Sequence, residues 1–142
     1  MTILILHGPN LNLLGLKSSE SNENLTLDKV NRALRLHVRN KDIKLKILQT
    51  HKEYIAINFI QRNRNSAAGL VVIPTSWAKY NQTLLETIKV CNLPTSTVYF
   101  DGKYNFGTSD KDTIMSGNNI KSFTGKPVET IISAIDHIVK RK

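Results

Sequence analysis

Cysteine is almost absent: Cys91 is the one thiol in 142 residues. It excludes an intramolecular disulfide and suits a reducing, cytoplasmic setting. At the end of an apolar helical stretch it reads as a buried, inert thiol. No apolar run approaches the ~20 residues of a membrane span. The N-terminus shows neither a basic leader nor a cleavage site, so no secretory signal is expected. Aromatics are sparse at 6% and are not interleaved with basic residues, which argues against a platform for stacking single-stranded nucleic acid. Acidic residues are also few, 11 against 20 Lys and Arg, for a net charge of +9. Such an excess suits a polyanionic partner only when it gathers on one face. Here Lys140-Arg141-Lys142 cluster at the end while Lys52, Arg62 and Arg64 lie nearer the middle. The excess reads as a general bias, and no nucleic-acid partner is expected.

Two chemical signatures are missing as well. No glycine-rich phosphate loop follows the first apolar run, because Gly8-Pro9-Asn10 lacks the later glycines of the dinucleotide pattern and the Lys-Ser/Thr of a P-loop. A nucleotide cofactor is therefore not expected, although a flavodoxin-like flavin site stays open. No His/Cys/Asp/Glu group has metal-ligand spacing. The four histidines are scattered, and only His7 stands at a strand mouth, where chemistry would be placed; His37, His51 and His137 read as surface or capping residues.

What is present is a regular alternation of strand and helix signals. Ile3–Leu6, Lys44–Gln49, Gly69–Pro74, Thr95–Phe100 and a short Ile120–Phe123 read as strands. Helices follow Thr26, span Glu53–Arg62 and Tyr80–Cys91, and begin at Pro127, which suits a first helical turn. The last carries Val128, Ile131, Ile132, Ile135, Ile138 and Val139 as an apolar stripe. Lys17–Asn24 is too hydrophilic to pack and reads as a mobile loop. Gly102–Gly107 reads as an ordinary flexible loop within the long polar stretch Asp101–Asn119. Strands apolar on both faces belong inside a parallel sheet. The pattern predicts a single α/β domain over residues 1–142, a three-layer sandwich around a doubly wound parallel sheet. Ligands of such sheets bind past the carboxyl ends of the strands. The Gly8-Pro9-Asn10 turn sits there, with the Asn10 amide able to donate and accept.

The run His7-Gly8-Pro9-Asn10-Leu11-Asn12-Leu13-Leu14-Gly15 closely resembles the N-terminal motif of type II 3-dehydroquinate dehydratases. The resemblance continues more weakly through Thr26-Leu27, Gln49-Thr50-His51-Lys52-Glu53 and Ile57 with Ile60-Gln61. It implies a flavodoxin-like fold, a homo-oligomer (trimers gathered into dodecamers) and a reaction without metal or organic cofactor. In that family a tyrosinate, kept ionised by an arginine, removes a proton next to a ketone. A turn asparagine holds the water that stabilises the enolate, and a histidine protonates the leaving hydroxyl.

Carried over position by position, the resemblance retains the asparagine as Asn10. The arginine falls on Lys17 and the base tyrosine on Asn22, whose amide does not ionise. The general-acid histidine falls on Tyr99. Among the substrate-binding positions, an asparagine becomes Ile73 and a histidine becomes Lys79. The acidic residue that reaches a neighbouring subunit corresponds to Glu86. The carboxylate-binding pair falls on Phe100 and Asp101, and Asp101 would repel that carboxylate. A final arginine falls near Asp110. The scaffold signature survives while the matching chemistry is replaced. This favours a divergent member with weak or lost dehydratase activity, repurposed to bind a small carboxylate ligand or a protein. An active enzyme would instead recruit Tyr80, Tyr99 or Tyr104 as base and Lys17 or Lys79 as cation. Trp77 and Tyr80 read as interface anchors or, for Trp77, as core. Lys79 and Asp101 are a candidate surface ion pair.

Overall fold

The computed structural model describes residues 1–141. Five strands form one all-parallel sheet: β1 (Thr2–His7), β2 (Lys44–Gln49), β3 (Ala67–Ile73), β4 (Thr95–Phe100) and β5 (Ile120–Gly125), in the order β2-β1-β3-β4-β5. The helices are α1 (Leu14–Ser19), α2 (Leu27–Val38), α3 (Glu53–Asn63), α4 (Trp77–Tyr80), α5 (Gln82–Cys91) and α6 (Pro127–Lys140). The short fifth strand is real and pairs with β4 along its whole length. This is the flavodoxin-like order, and the direction in which successive strands are added reverses between β1 and β3.

Alternation along the central strands divides the interior into two cores. Ile3, Ile5, Val71, Ile73 and Val98 pack with Val30 and Leu34 of α2 and with Ile131, Ile135 and Ile138 of α6. Leu4, Leu6, Leu70 and Val72 pack on the other face with Ala56 and Ile60 of α3 and Leu84 and Ile88 of α5. Full burial of such side chains contributes roughly 1.5–3 kcal/mol each. Thr26 caps α2 as expected, its hydroxyl accepting from the Lys29 N–H at 3.3 Å.

Three local expectations need correction. Lys17–Asn24 is not uniformly a loop, because α1 runs to Ser19. Ser18, fully buried, explains the difference: its hydroxyl donates to the Leu25 carbonyl at 2.8 Å and accepts from the Leu25 N–H at 3.1 Å. A polar residue thus anchors the segment where apolar patterning predicts no anchor. The single helix expected from Tyr80 is broken at Asn81, whose side chain accepts from the Leu84 N–H and starts α5 afresh. Gly102–Gly107 contains a 3-10 turn, Gly102–Tyr104, with Tyr104 buried in the α2/α6 core.

The ends of β1 and β3 are drawn together at Gly8. Its N–H donates to the Ile73 carbonyl at 2.8 Å. A Cβ there would meet the carbonyl oxygens of Pro74 at 2.6 Å and Ile73 at 2.8 Å. Thr75, at φ 53, donates its hydroxyl across the same gap to the Pro9 carbonyl at 2.9 Å. A β-branched residue seldom adopts that conformation. Gly8→Ala is therefore expected to cost about 1–3 kcal/mol through overpacking against backbone, read as a lower urea midpoint at unchanged slope. An unchanged midpoint would contradict the close approach.

Candidate functional site

In an open parallel sheet the ligand crevice lies above the point where strand order reverses, here past His7 and Ile73. Asn10 is exposed in the first of these loops, at φ 73 in the left-handed region that Asn tolerates. Its side chain caps nothing, so the amide is free to meet a ligand.

His7 takes a different place from the one its sequence position suggests. It is wholly buried, with Nε2 2.9 Å from the Asn31 side-chain oxygen. Burial lowers its pKa from the ordinary 6.5 to about 4, only partly opposed by the Asn31 bond. The ring is neutral at physiological pH, with Nε2–H as donor, and Nδ1 has no partner among the described residues. A side chain closed off from solvent and reluctant to take a proton is a structural element, not a proton shuttle.

The candidate positions differ widely in their surroundings. Asn22 is exposed in a turn at φ 59. Lys79 and Glu86 are exposed on α4 and α5. Lys79 stands 5.8 Å from the Tyr80 ring centre and makes no ion pair with the exposed Asp101; the ion pairs among the described residues are His37–Asp136 and Lys103–Glu23. Tyr80 is 73% exposed. Trp77 is half-buried against the α3/α5 core, and Cys91 is half-buried rather than fully so. Tyr99 is buried in that same core, its hydroxyl donating to Thr113 at 2.7 Å. Burial raises its pKa above 10, opposed by the hydrogen bonds to Thr113 and Thr97 and helped by the smaller effect of Asp110. The phenol is thus held against the ionisation that a base requires.

Ile73, Tyr99 and Phe100 do meet. With Thr75, Val98, Phe106 and Thr108 they line a cavity of about 10 Å³ at the ends of β3 and β4. That is room for roughly one water. Small-molecule sites are commonly about 300–1,000 Å³. Phe106 forms part of its wall, with the Lys17 ammonium 5.6 Å from its ring centre. The sequence places Thr75, Phe106 and Thr108 in segments expected above the sheet, Pro74–Tyr80 and Phe100–Thr108, without singling them out. The one available signal was an aromatic residue standing in the polar stretch Asp101–Asn119. A larger depression, about 700 Å³, lies at the amino ends of the strands beside Met1, Arg35, Arg39 and Lys44, the wrong end for this fold's crevice.

The sequence profile described as Dehydroquinase class II matches residues 1–139. The chain belongs to that family. It is 27% identical over 137 residues to a 3-dehydroquinate dehydratase from Clostridium botulinum, covering 96% of this chain and 93% of that protein. It is 25% identical to one from Halothermothrix orenii at the same coverage. The type II dehydroquinase of Butyrivibrio crossotus has the same fold, with a TM-score of 0.79 at 19% identity over 98% of this chain and 97% of that one. A 3-dehydroquinate dehydratase-like protein from Bifidobacterium longum shares it at a TM-score of 0.65 and 14% identity, covering 99% and 98%. The family thus accounts for the motif at Gly8-Pro9-Asn10. In this member the space lined by Ile73, Tyr99, Phe100 and Phe106 is small.

The state of His7 has a measurable consequence. Its folded pKa lies below the unfolded value, so the unfolded chain binds more protons between pH 6.5 and about 4. Its stabilising contribution is complete above pH 6.5 and is lost on acidification across that window. The loss is on the order of 3 kcal/mol by pH 4. Urea unfolding of the parent chain and His7→Gln across pH 7–4 measures it. The parent should lose more stability than the variant, and equal losses would show that His7 titrates normally.

Proposed function

We propose that this protein is a divergent dehydroquinase-family member with weak or lost 3-dehydroquinate dehydratase activity. On this reading its scaffold serves ligand binding in a cytoplasmic homo-oligomer. The single observation that carries the reading is the closed space around Ile73, Phe100 and Phe106, about 10 Å³. A six-membered carbocycle does not fit there while Phe106 is in place.

The substitutions point the same way. A phenolate base requires a cation beside the phenol and access to the substrate. Asn22 supplies no phenol, and Tyr99 is buried. Tyr104 is buried, and its hydroxyl donates to the Glu23 carboxylate. Tyr80 has Lys79 beside its ring but lies exposed on α4. The alternative, an active enzyme with displaced residues, draws on Asn10, which keeps its amide free at the crevice.

The test is an assay of the purified, folded protein with 3-dehydroquinate, following the ultraviolet absorbance of the conjugated product. Loss of a base together with its general acid lowers rates by at least about a thousandfold, and a deficit of that size is expected. Turnover at ordinary enzyme rates, about 1–1,000 per second, would overturn the reading. Tyr80→Phe, Tyr99→Phe and Tyr104→Phe would then locate the base.

A further inference from the structure

A second cavity lies at the same end of the sheet but on the α2/α6 side, separate from the small space lined by Ile73 and Phe106. It has a volume of about 240 Å³ and is lined by Glu23, Leu25, Lys103, Tyr104, Lys126, Pro127, Val128 and Glu129. Leu25, Pro127 and Val128 give it an apolar wall. The polar side is organised around one carboxylate: Lys103 Nζ donates to one oxygen of Glu23, and the Tyr104 hydroxyl donates to the other. Tyr104 is only 5% exposed, so its buried phenol is aimed at that carboxylate and is satisfied by it.

We propose that Lys103, Tyr104 and Lys126 form a binding site for a small carboxylic acid with an apolar body, and that Glu23 is its tethered internal occupant. The charges fit an exchange of one carboxylate for another. With Glu23 in place, Lys103 and Lys126 face Glu23 and Glu129. With Glu23 withdrawn, the two lysines face Glu129 alone, leaving one positive charge to be met.

The chain around Glu23 permits that withdrawal. Its anchors lie outside the exchanging side chain: Ser18 is bonded to Leu25, and Thr26 caps α2. Between them the backbone is held by turn hydrogen bonds from the N–H groups of Ser21, Asn22 and Glu23 to Ser18 and Ser19. Release of Glu23 therefore breaks two side-chain contacts and no helix. Side chains of Lys103 and Glu23 are 50% and 41% exposed, and ion pairs this open to water are held weakly. An external carboxylate competes with a tethered one, whose effective concentration is in the millimolar range.

This site is independent of the dehydratase question. Family-like turnover of 3-dehydroquinate would sink the preceding proposal and leave this one standing.

The experiment is a nuclear magnetic resonance titration of the full-length, nitrogen-15-labelled protein with sodium benzoate, against sodium chloride at equal ionic strength. Benzoate should shift the amides of residues 23–27, 102–106, 125, 126, 128 and 129. Glu23→Gln should tighten its binding at least about fivefold by removing the tethered competitor. Adding Lys103→Gln to that variant should weaken it at least about tenfold. Inorganic phosphate, lacking an apolar body, should bind more weakly than benzoate. Shifts no larger than those from chloride, an affinity unchanged by Glu23→Gln, or binding indifferent to Lys103→Gln would overturn the proposal. Should Glu23→Gln not fold, the parent chain decides. Benzoate shifts confined to those three segments, at up to tens of millimolar, support the site, and shifts elsewhere or none overturn it.

Discussion

The close approach of β1 and β3 at Gly8 is the constraint on which the rest of the molecule depends. Parallel strands separated by two crossover helices must be held in register at the point where strand order reverses. The Gly8 N–H to Ile73 carbonyl bond does this at 2.8 Å, and the missing Cβ allows it. The cost of the close turn is borne by neighbours in unusual conformations, Asn10 at φ 73 and Thr75 at φ 53. Thr75 offsets its strain with the hydroxyl bond to the Pro9 carbonyl. The two loops that would flank a ligand are consequently tied to each other, and what the crevice can admit is decided by the side chains above them.

Those side chains form a layer that closes the carboxyl end of the sheet. Phe106 lines the small space at the ends of β3 and β4, and Lys17 of α1 lies over its ring. Tyr104, two residues earlier, enters the α2/α6 core and holds Glu23. Segments 17–24 and 102–106 are therefore coupled twice, once through a cation over an aromatic face and once through a carboxylate gripped by two donors. Each contact is modest, since an exposed ion pair contributes about 0–1 kcal/mol and an exposed cation over a ring about 0.5–1 kcal/mol. Together they order a stretch whose composition alone predicts mobility.

The sheet was legible because burial imposes period and branching on its strands. Leu70-Val71-Val72-Ile73 has no polar partner to confuse the reading, and the stripe of α6 follows one face of a helix. The site was less legible because its contacts are side-chain pairings between distant segments. Ser18 meets Leu25, Glu23 meets Lys103 and Tyr104, and Lys17 meets Phe106. No local periodicity marks such pairs. His7 shows the opposite failure: its position at a strand mouth suggested chemistry, whereas the ring points into the core and loses its basicity there. The family resemblance located Ile73, Tyr99 and Phe100, which do share a cavity. It did not reveal how small that cavity is.

The motif that carries the family resemblance is largely a packing motif, and this explains how scaffold and chemistry can part. In His7–Gly15, the side chains of His7, Leu11 and Leu14 are completely buried. Gly8 is required by the approach of Pro74, and Asn10 supplies a left-handed turn. Replacing any buried member would open a cavity or strand a polar group, at a cost of a few kcal/mol in a fold whose net stability is on the order of 10 kcal/mol. The positions aligned with base, activator and neighbouring-subunit contact are Asn22, Lys17 and Glu86, on the surface or at its edge. Substitution there costs the fold little. Stability therefore holds the first set of residues in place whether or not the enzyme works. Only activity holds the second set, so a chain keeping the first and changing the second is what the proposed loss of the original reaction would leave.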